Sequence, residues 1–192
     1  MPAFAGLCTD SQHGAGILAI DFEASCLPRH GRSYPIEVGI ADGQGTARSW
    51  LIRPSSQWEG WTWTEEAERL HGLTRERLFD EGRSATVVTV ELRQAVAGHR
   101  LVADSEIDGY WMRTLAAAGG VSPVPVIEHI MTLVGQLDLP DEEVRACVDL
   151  VDRRGFPRHR AADDARWLAA LIAALLHASE GRIERSWRQE LS

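Results

Sequence analysis

Short apolar runs separated by turn residues dominate the first fifty positions of the chain. Residues 17–20 (Ile-Leu-Ala-Ile) form a run typical of a buried strand, and similar runs cover 35–41 and 47–52. The tetrapeptide Asp-Gly-Gln-Gly at 42–45 separates the last two runs and is typical of a tight turn. We therefore predict that the first three strands form an antiparallel meander.

The pattern after residue 60 alternates between amphipathic stretches and brief apolar runs. Amphipathic stretches bounded by capping residues and glycines predict helices, and the brief apolar runs predict strands. Strands followed by strand–helix alternation indicate a single α/β domain with a mixed sheet. The predicted segments are helices at 64–71, 84–98, 107–118, 141–152 and 163–178, with strands at 100–103 and 124–127.

Length and charge limit what this domain can be. A chain of 192 residues, 44% of them hydrophobic, can bury one sizeable core. We assign 16–178 to that domain, 1–15 to a flexible N-terminus and 179–192 to a C-terminal tail. The net charge is −8 and lysine is absent, so bulk electrostatics would not attract a nucleic acid. Binding a polyanion would require a local basic patch or bound metal.

Cysteine usage and hydropathy predict a cytoplasmic protein. Cys8, Cys26 and Cys147 are far apart and odd in number, which argues against a disulfide framework or a thiolate zinc site. The first residues lack the basic start and apolar stretch of a secretory signal. No apolar run approaches the roughly 20 residues that a membrane span needs, so we expect no membrane partner.

Two acidic groups follow predicted strands. Asp21 and Glu23 are two residues apart, so on a strand they share one face, where a divalent cation would relieve their repulsion. Taken alone, the pair fits the solvent face of an edge strand equally well. Asp104 and Asp108 follow the strand at 100–103, at the end of a sheet where α/β proteins place ligands. Helix capping explains Asp104 well and Asp108 less well.

A third group combines a histidine with an aspartate. His159 and Asp164 are five residues apart, so on one helix they would point in different directions. They can converge if His159 lies on a loop after Pro157 and Asp164 lies in the first turns of the helix. A loop histidine can take a proton from water near neutral pH.

The three groups together resemble the motifs of the DEDDh exonucleases, a family of the DnaQ-like superfamily. Residues 21–23 match Asp-x-Glu, and residues 159–164 match His-x-x-x-x-Asp. Residues 104–108 match Asn-x-x-Phe-Asp, with Asp104 and Ile107 in place of the asparagine and the phenylalanine. The segment His-Gly-Leu-Thr at 71–74 is similar to the His-Gly-Ile-Thr of many members. Each motif alone is weak, and the three in order are specific.

The resemblance implies a ribonuclease H-like fold, with a mixed five-stranded sheet (antiparallel strands 1–3, then parallel strands 4–5) flanked by helices. It also implies a 3′–5′ exonuclease that acts on single-stranded DNA or RNA 3′ ends with two divalent ions, Mg²⁺ or Mn²⁺. Asp21 would bridge both metals and Glu23 and Asp164 would complete one site. Asp108 would serve the second metal, with a role for Asp104 beside it left open, and His159 would deprotonate the attacking water.

Further site residues and alternatives complete the prediction. The tryptophans at 58, 61 and 63 are expected to pack under a long loop rather than to stack bases. A catalytically weak nucleic-acid-binding module, a proofreading subunit that grips a polymerase, and a small phosphodiester substrate stay open, as does the homodimer seen in some relatives. Candidate substrate-binding residues are Ala24, Ser25, Leu27 and His71 for the terminal nucleotide, with Asp104, Arg158 and Arg160 around it.

Overall fold

A mixed five-stranded sheet forms the centre of the molecule. The computed structural model describes residues 16–190, with side chains described as far as Arg182, so the predicted flexible N-terminus (1–15) lies outside the described residues. The strands lie in the order β3-β2-β1-β4-β5. Their bounds are β1 Ile17–Ala24, β2 Pro35–Ala41, β3 Ala47–Leu51, β4 Arg100–Ala103 and β5 Ile127–His129.

The strand directions follow the predicted arrangement. β1 pairs with β2, and β2 with β3, in antiparallel register, whereas β1 pairs with β4, and β4 with β5, in parallel register. The mixed sheet is therefore confirmed. Because β1 is central, the residues at its carboxyl end are surrounded by elements from both halves of the chain.

Seven helices flank the sheet in the described part of the chain. Threonine or serine side chains cap the first three helices at Thr64, Thr74 and Ser84, where each side-chain oxygen accepts a backbone N–H. The bounds are α1 Glu65–His71, α2 Arg75–Glu81, α3 Ala85–Ala95, α4 Ile107–Gly119, α5 Ile130–Leu137, α6 Asp141–Asp152 and α7 Ala161–Glu190.

A hydrophobic core lies on each face of the sheet. Ile20 on β1 packs in one core with Met112 and Leu115 of α4. Ala19, which points to the opposite face, packs in the other core with Leu168 of α7. Each fully buried large apolar side chain contributes about 1.5–3 kcal/mol. The alternation along β1 therefore fixes which residues of this strand meet α7.

Several predicted boundaries are wrong. β5 begins at Ile127 instead of residue 124, since Pro123 and Pro125 lack the N–H that a strand position requires. Two helices, α2 and α5, were not predicted: α5 is a short apolar segment that follows β5 directly, without an intervening turn. α7 begins at Ala161 and continues past 178 to Glu190, so most of the predicted tail is helical.

Two further features concern the helices and the cysteines of the described residues. No helix among residues 16–190 combines the length and hydropathy needed to cross a bilayer. Cys26 and Cys147 are buried free thiols, and Cys8 lies outside the described residues.

Candidate active site

The end of β1 carries the first pair of carboxylates. Phe22 and Ala24 point into the core beneath α4, so the alternating residues Asp21 and Glu23 point to the other face. Asp21 lies opposite Gly39 of β2 in the antiparallel register. Asp21 and Glu23 therefore lie on one face of a strand, as their spacing predicted.

Asp108 reaches the same place from α4. It is the second residue of that helix and is only 1% exposed. Its Oδ2 atom is buried and accepts no hydrogen bond from any residue that the structure describes. A buried carboxylate oxygen without a donor is costly unless a cation binds it.

The backbone of His159 contacts the Asp164 carboxylate. His159 lies in the loop before α7, and Asp164 is the fourth residue of the helix. Asp164 Oδ2 accepts the backbone N–H groups of His159 (2.6 Å) and Arg160 (3.1 Å). His159 is exposed and has φ 66°, a left-handed conformation that is strained for a residue with a Cβ.

The carboxylates form two groups of three that share one member. Oxygen atoms of Asp21, Asp104 and Asp108 lie within 4.8 Å of one another, and so do those of Asp21, Glu23 and Asp164. All ligand atoms are carboxylate oxygens, which suit hard divalent cations such as Mg²⁺ or Mn²⁺. This donor set fits two divalent cations, because the Asp108 Oδ2 atom has no hydrogen-bond donor among the described residues that a cation would have to displace. Asp104 lies with Asp108 in one of the two groups.

The crowding of these acids changes their protonation. Burial, followed by the charges of Asp108, Glu23, Asp164 and Asp104, raises the pKa of Asp21 well above its usual value. Burial and then the Asp164 charge raise the pKa of Glu23 to about 8. Burial and then the Asp104 charge raise the pKa of Asp108 to about 8. Without a cation, protons therefore neutralise much of the cluster near neutral pH.

An apolar pocket adjoins the cluster. Ala24, Leu27, His71 and Trp111 line it beside Glu23. His71 is 4% exposed, and burial lowers its pKa to about 4, so the ring is neutral. Its Nδ1 accepts the Leu73 N–H at 3.0 Å, which places the ring proton on Nε2. The buried Nε2 forms no regular hydrogen bond within residues 16–190, and a weak interaction with the Ala24 backbone only partly opposes the lowering of the ring's pKa, so a ligand acceptor in the pocket could compete for this donor.

Three predicted substrate-binding residues have other partners in the structure. Ser25 is fully buried, and its Oγ accepts the Tyr34 N–H at 3.1 Å, so its side chain does not line the pocket. Arg158 forms an ion pair with Asp164 Oδ1. Arg160 forms two hydrogen bonds to Glu37, each 2.9 Å.

The tryptophans that follow β3 mainly pack. Trp58 is 5% exposed and stacks on Tyr34, with ring centroids 5.3 Å apart. Trp61 lies between Trp58 and the guanidinium of Arg32, which is 4.1 Å from the Trp61 centroid. These rings support the segment before α1, in keeping with the packing expected from the sequence.

Several residues around the site were not predicted from the sequence. Cys26 and Trp111 line the pocket, but nothing in their local sequence marks them. Glu37 did carry a signal, because it is a carboxylate inside the otherwise apolar strand Pro-Ile-Glu-Val-Gly-Ile-Ala. Such a residue is rarely buried unless it is paired.

Comparison with known proteins places this geometry in a structural class. No protein-family model and no curated protein sequence matches the chain. The nuclease domain of 3′hExo, a DEDDh family member bound to rAMP, matches with a TM-score of 0.66 and 16% identity, over 87% of this chain and 94% of that one. E. coli Exonuclease I in complex with a dA16 oligonucleotide matches with a TM-score of 0.63 and 12% identity.

The likeness to Exonuclease I covers 88% of this chain but 42% of the other. A moderately thermophilic Exonuclease I from Methylocaldum szegediense gives a TM-score of 0.62 at 13% identity, over 85% of this chain and 40% of that one. The chain therefore spans less than half of these enzymes. It has the ribonuclease H-like fold found in DEDDh exonucleases, and the fold class predicted from the sequence is confirmed.

Proposed function

We propose that this protein is a metal-dependent 3′–5′ exonuclease that hydrolyses phosphodiester bonds at the 3′ end of single-stranded nucleic acid. The observation that carries the proposal is the pair of carboxylate groups that share Asp21, with a buried Asp108 oxygen that lacks a donor. Two neighbouring divalent sites recur in nucleases, polymerases and phosphatases, where they stabilise the attacking and leaving oxygens. The shared fold with known exonucleases supports the same conclusion.

The metal ligands divide into two sets around Asp21. Glu23 and Asp164 would hold one cation, and Asp104 and Asp108 the other, with Asp21 common to both. Bound Mg²⁺ or Mn²⁺ would supply positive charge for the phosphate and lower the pKa of water. This charge would also let a chain of net charge −8 bind a polyanion.

His159 is the candidate general base. Its imidazole is exposed on the loop, and its backbone N–H is fixed to Asp164 at 2.6 Å. We propose that this imidazole takes the proton of a water that attacks the phosphate, because a loop histidine close to Asp164 in the chain can reach the carboxylate cluster. Asp164 Oδ2 anchors the backbone of the base, and Oδ1 would bind the cation, which would take the place of the Arg158 guanidinium that pairs with Oδ1 in this structure.

The pocket beside Glu23 is suited to the terminal nucleotide. Leu27 and Ala24 offer apolar surface to a base or sugar, and Trp111 closes the inner side. The Nε2–H of His71, which forms no regular hydrogen bond in the part of the chain that the structure describes, would donate to a hydroxyl, ring nitrogen or carbonyl of that nucleotide. Matched neighbours were studied with rAMP and with a dA16 oligonucleotide, so both RNA and DNA are substrates to test.

Product analysis tests this proposal. Purified protein is incubated with single-stranded DNA and RNA in Mg²⁺ or Mn²⁺, and released products are separated by chromatography. We expect 5′-mononucleotides that disappear with EDTA and in Asp108→Asn. Substrates recovered intact with every metal, while the protein still retains them on a filter, would instead favour a nucleic-acid-binding module.

A further inference from the structure

A fully buried carboxylate that belongs to neither group of metal ligands lies next to the site. Glu37 on β2 is 1% exposed and lies directly opposite Glu23 in the strand register. Its oxygens accept two hydrogen bonds from Arg160, from Nε and Nη2, both at 2.9 Å. They also accept the Ala161 N–H at 3.3 Å and the Ser49 hydroxyl at 3.0 Å.

These partners show which element the carboxylate holds. Three of the four hydrogen bonds come from Arg160 and Ala161, the residues at the start of α7. A buried charge is retained only when it is well paired, and a bidentate arginine–carboxylate pair fixes direction as well as distance. Glu37 therefore ties the beginning of α7 to the middle of the sheet.

Gly39 shows how close this contact is. It lies two residues beyond Glu37, on the same face of β2. A Cβ added there would lie 2.3 Å from the backbone C and O atoms of Ala161. The helix backbone therefore rests directly on β2, and Asp21 is the residue opposite Gly39 in the neighbouring strand.

The segment held in this way includes the candidate base. His159 has φ 66°, a left-handed conformation that is strained for a residue with a Cβ and persists only where its surroundings enforce it. On one side, the N–H groups of His159 and Arg160 bind Asp164 Oδ2. On the other side, the Arg160 side chain and the Ala161 N–H bind Glu37.

We infer that Glu37 is a positioning residue, which acts through Arg160 to hold His159 and Asp164 in place for the reaction. It reaches neither the substrate nor a metal in this role. The inference rests on the proposed function for its kinetic consequence, whereas the conformation of residues 159–161 can be measured without any activity.

Glu37→Gln tests the inference against a matched control. The variant keeps the side-chain shape and removes the charge. Glu128→Gln is the control, because Glu128 forms a similar bidentate pair with Arg100 (3.2 and 2.7 Å) between β4 and β5. We expect kcat at saturating metal to fall about 10- to 100-fold in Glu37→Gln, as for other residues that orient catalytic groups. KM for the oligonucleotide should stay near the wild-type value, and Glu128→Gln should keep wild-type kcat.

A double variant distinguishes positioning from a general structural effect. If Glu37 acts through the base, the fold-loss in kcat of the double variant Glu37→Gln/His159→Ala should be smaller than the product of the fold-losses of the two single variants. Multiplicative losses would overturn the inference. Arg160→Gln breaks the same ion pair at its half-exposed partner. It is measured in place of Glu37→Gln if the Glu37 variant does not fold.

Amide hydrogen exchange gives a readout that does not depend on catalysis. Exchange at His159 and Arg160 should accelerate at least tenfold in Glu37→Gln and stay unchanged in Glu128→Gln. If the wild type lacks nuclease activity, the proposed function fails while the exchange data still decide the positioning. If the wild type is active and Glu37→Gln matches Glu128→Gln in both kcat and exchange, the inference is wrong.

Discussion

The affinity of this protein for divalent metal should depend steeply on pH. Glu23 and Asp108 each have a pKa raised to about 8, chiefly by burial, and they belong to different carboxylate groups around Asp21. A carboxylate must be ionised to bind a cation. Each of the two metal sites therefore competes with at least one proton below pH 8.

The size of the effect follows from those pKa values. For one group titrating near 8, each pH unit below 8 reduces metal affinity about tenfold, equivalent to about 1.4 kcal/mol. Between pH 8, where such a group is half ionised, and pH 6, each site should lose about 50-fold in affinity, or about 2.3 kcal/mol. Metal affinity therefore increases as pH rises, and it levels off above pH 8, where the acids are already ionised.

Calorimetric titration with Mn²⁺ measures this directly. Titrations at several pH values, each in two buffers with different ionisation enthalpies, give the affinity and the number of protons released. Near pH 6.5 we expect about one proton for each metal bound. Glu23→Gln serves as a control, since it should remove the release at one site and leave it at the other. An affinity that is constant from pH 6 to 8, or binding without proton release, would refute this reasoning.

Three further outcomes are expected. Without metal, the raised pKa values of Glu23 and Asp108 give stability that is complete below about pH 4 and is lost as pH rises through 8. The melting temperature in EDTA should therefore be lower at pH 8 than at pH 5, and an equal or higher melting temperature at pH 8 would contradict this. His159→Gly should melt about 2–4 °C above His159→Ala, because glycine removes about 1 kcal/mol of left-handed strain; equal melting temperatures would argue against strain. Gly39→Ala should lose about 1–3 kcal/mol in denaturant unfolding because it clashes with the backbone of α7, whereas the control Gly43→Ala, whose Cβ would be 3.8 Å from its nearest neighbour, should be nearly neutral.

The sequence contained enough information to predict the centre of the fold. Alternation in β1 determined that Asp21 and Glu23 share a face, because side chains of a strand alternate whatever surrounds them. Asp164 lies in the first turns of α7, which agrees with the loop that the segment Gly-Phe-Pro at 155–157 made plausible for His159. Local rules of this kind depend only on neighbouring residues, so they can be applied to one sequence.

Contacts between distant segments could not be predicted in the same way. Arg160 was predicted to bind substrate, whereas in the structure its side chain pairs with Glu37, 123 positions earlier in the chain. The placement of Ser25 depends on Tyr34 across a loop. The bounds of β5 and the existence of α5 depend on packing against the sheet, since a short apolar segment suits either a strand or a helix.

The most direct test of the account is the digestion of 5′-labelled single-stranded DNA and RNA of equal length, resolved on one gel. Wild type and His159→Ala are compared with Mg²⁺, Mn²⁺ or EDTA. We expect a metal-dependent ladder that shortens from the 3′ end and forms about 10²- to 10⁴-fold more slowly in His159→Ala. Intact substrate in every metal lane, or an equally fast ladder in His159→Ala, would contradict it.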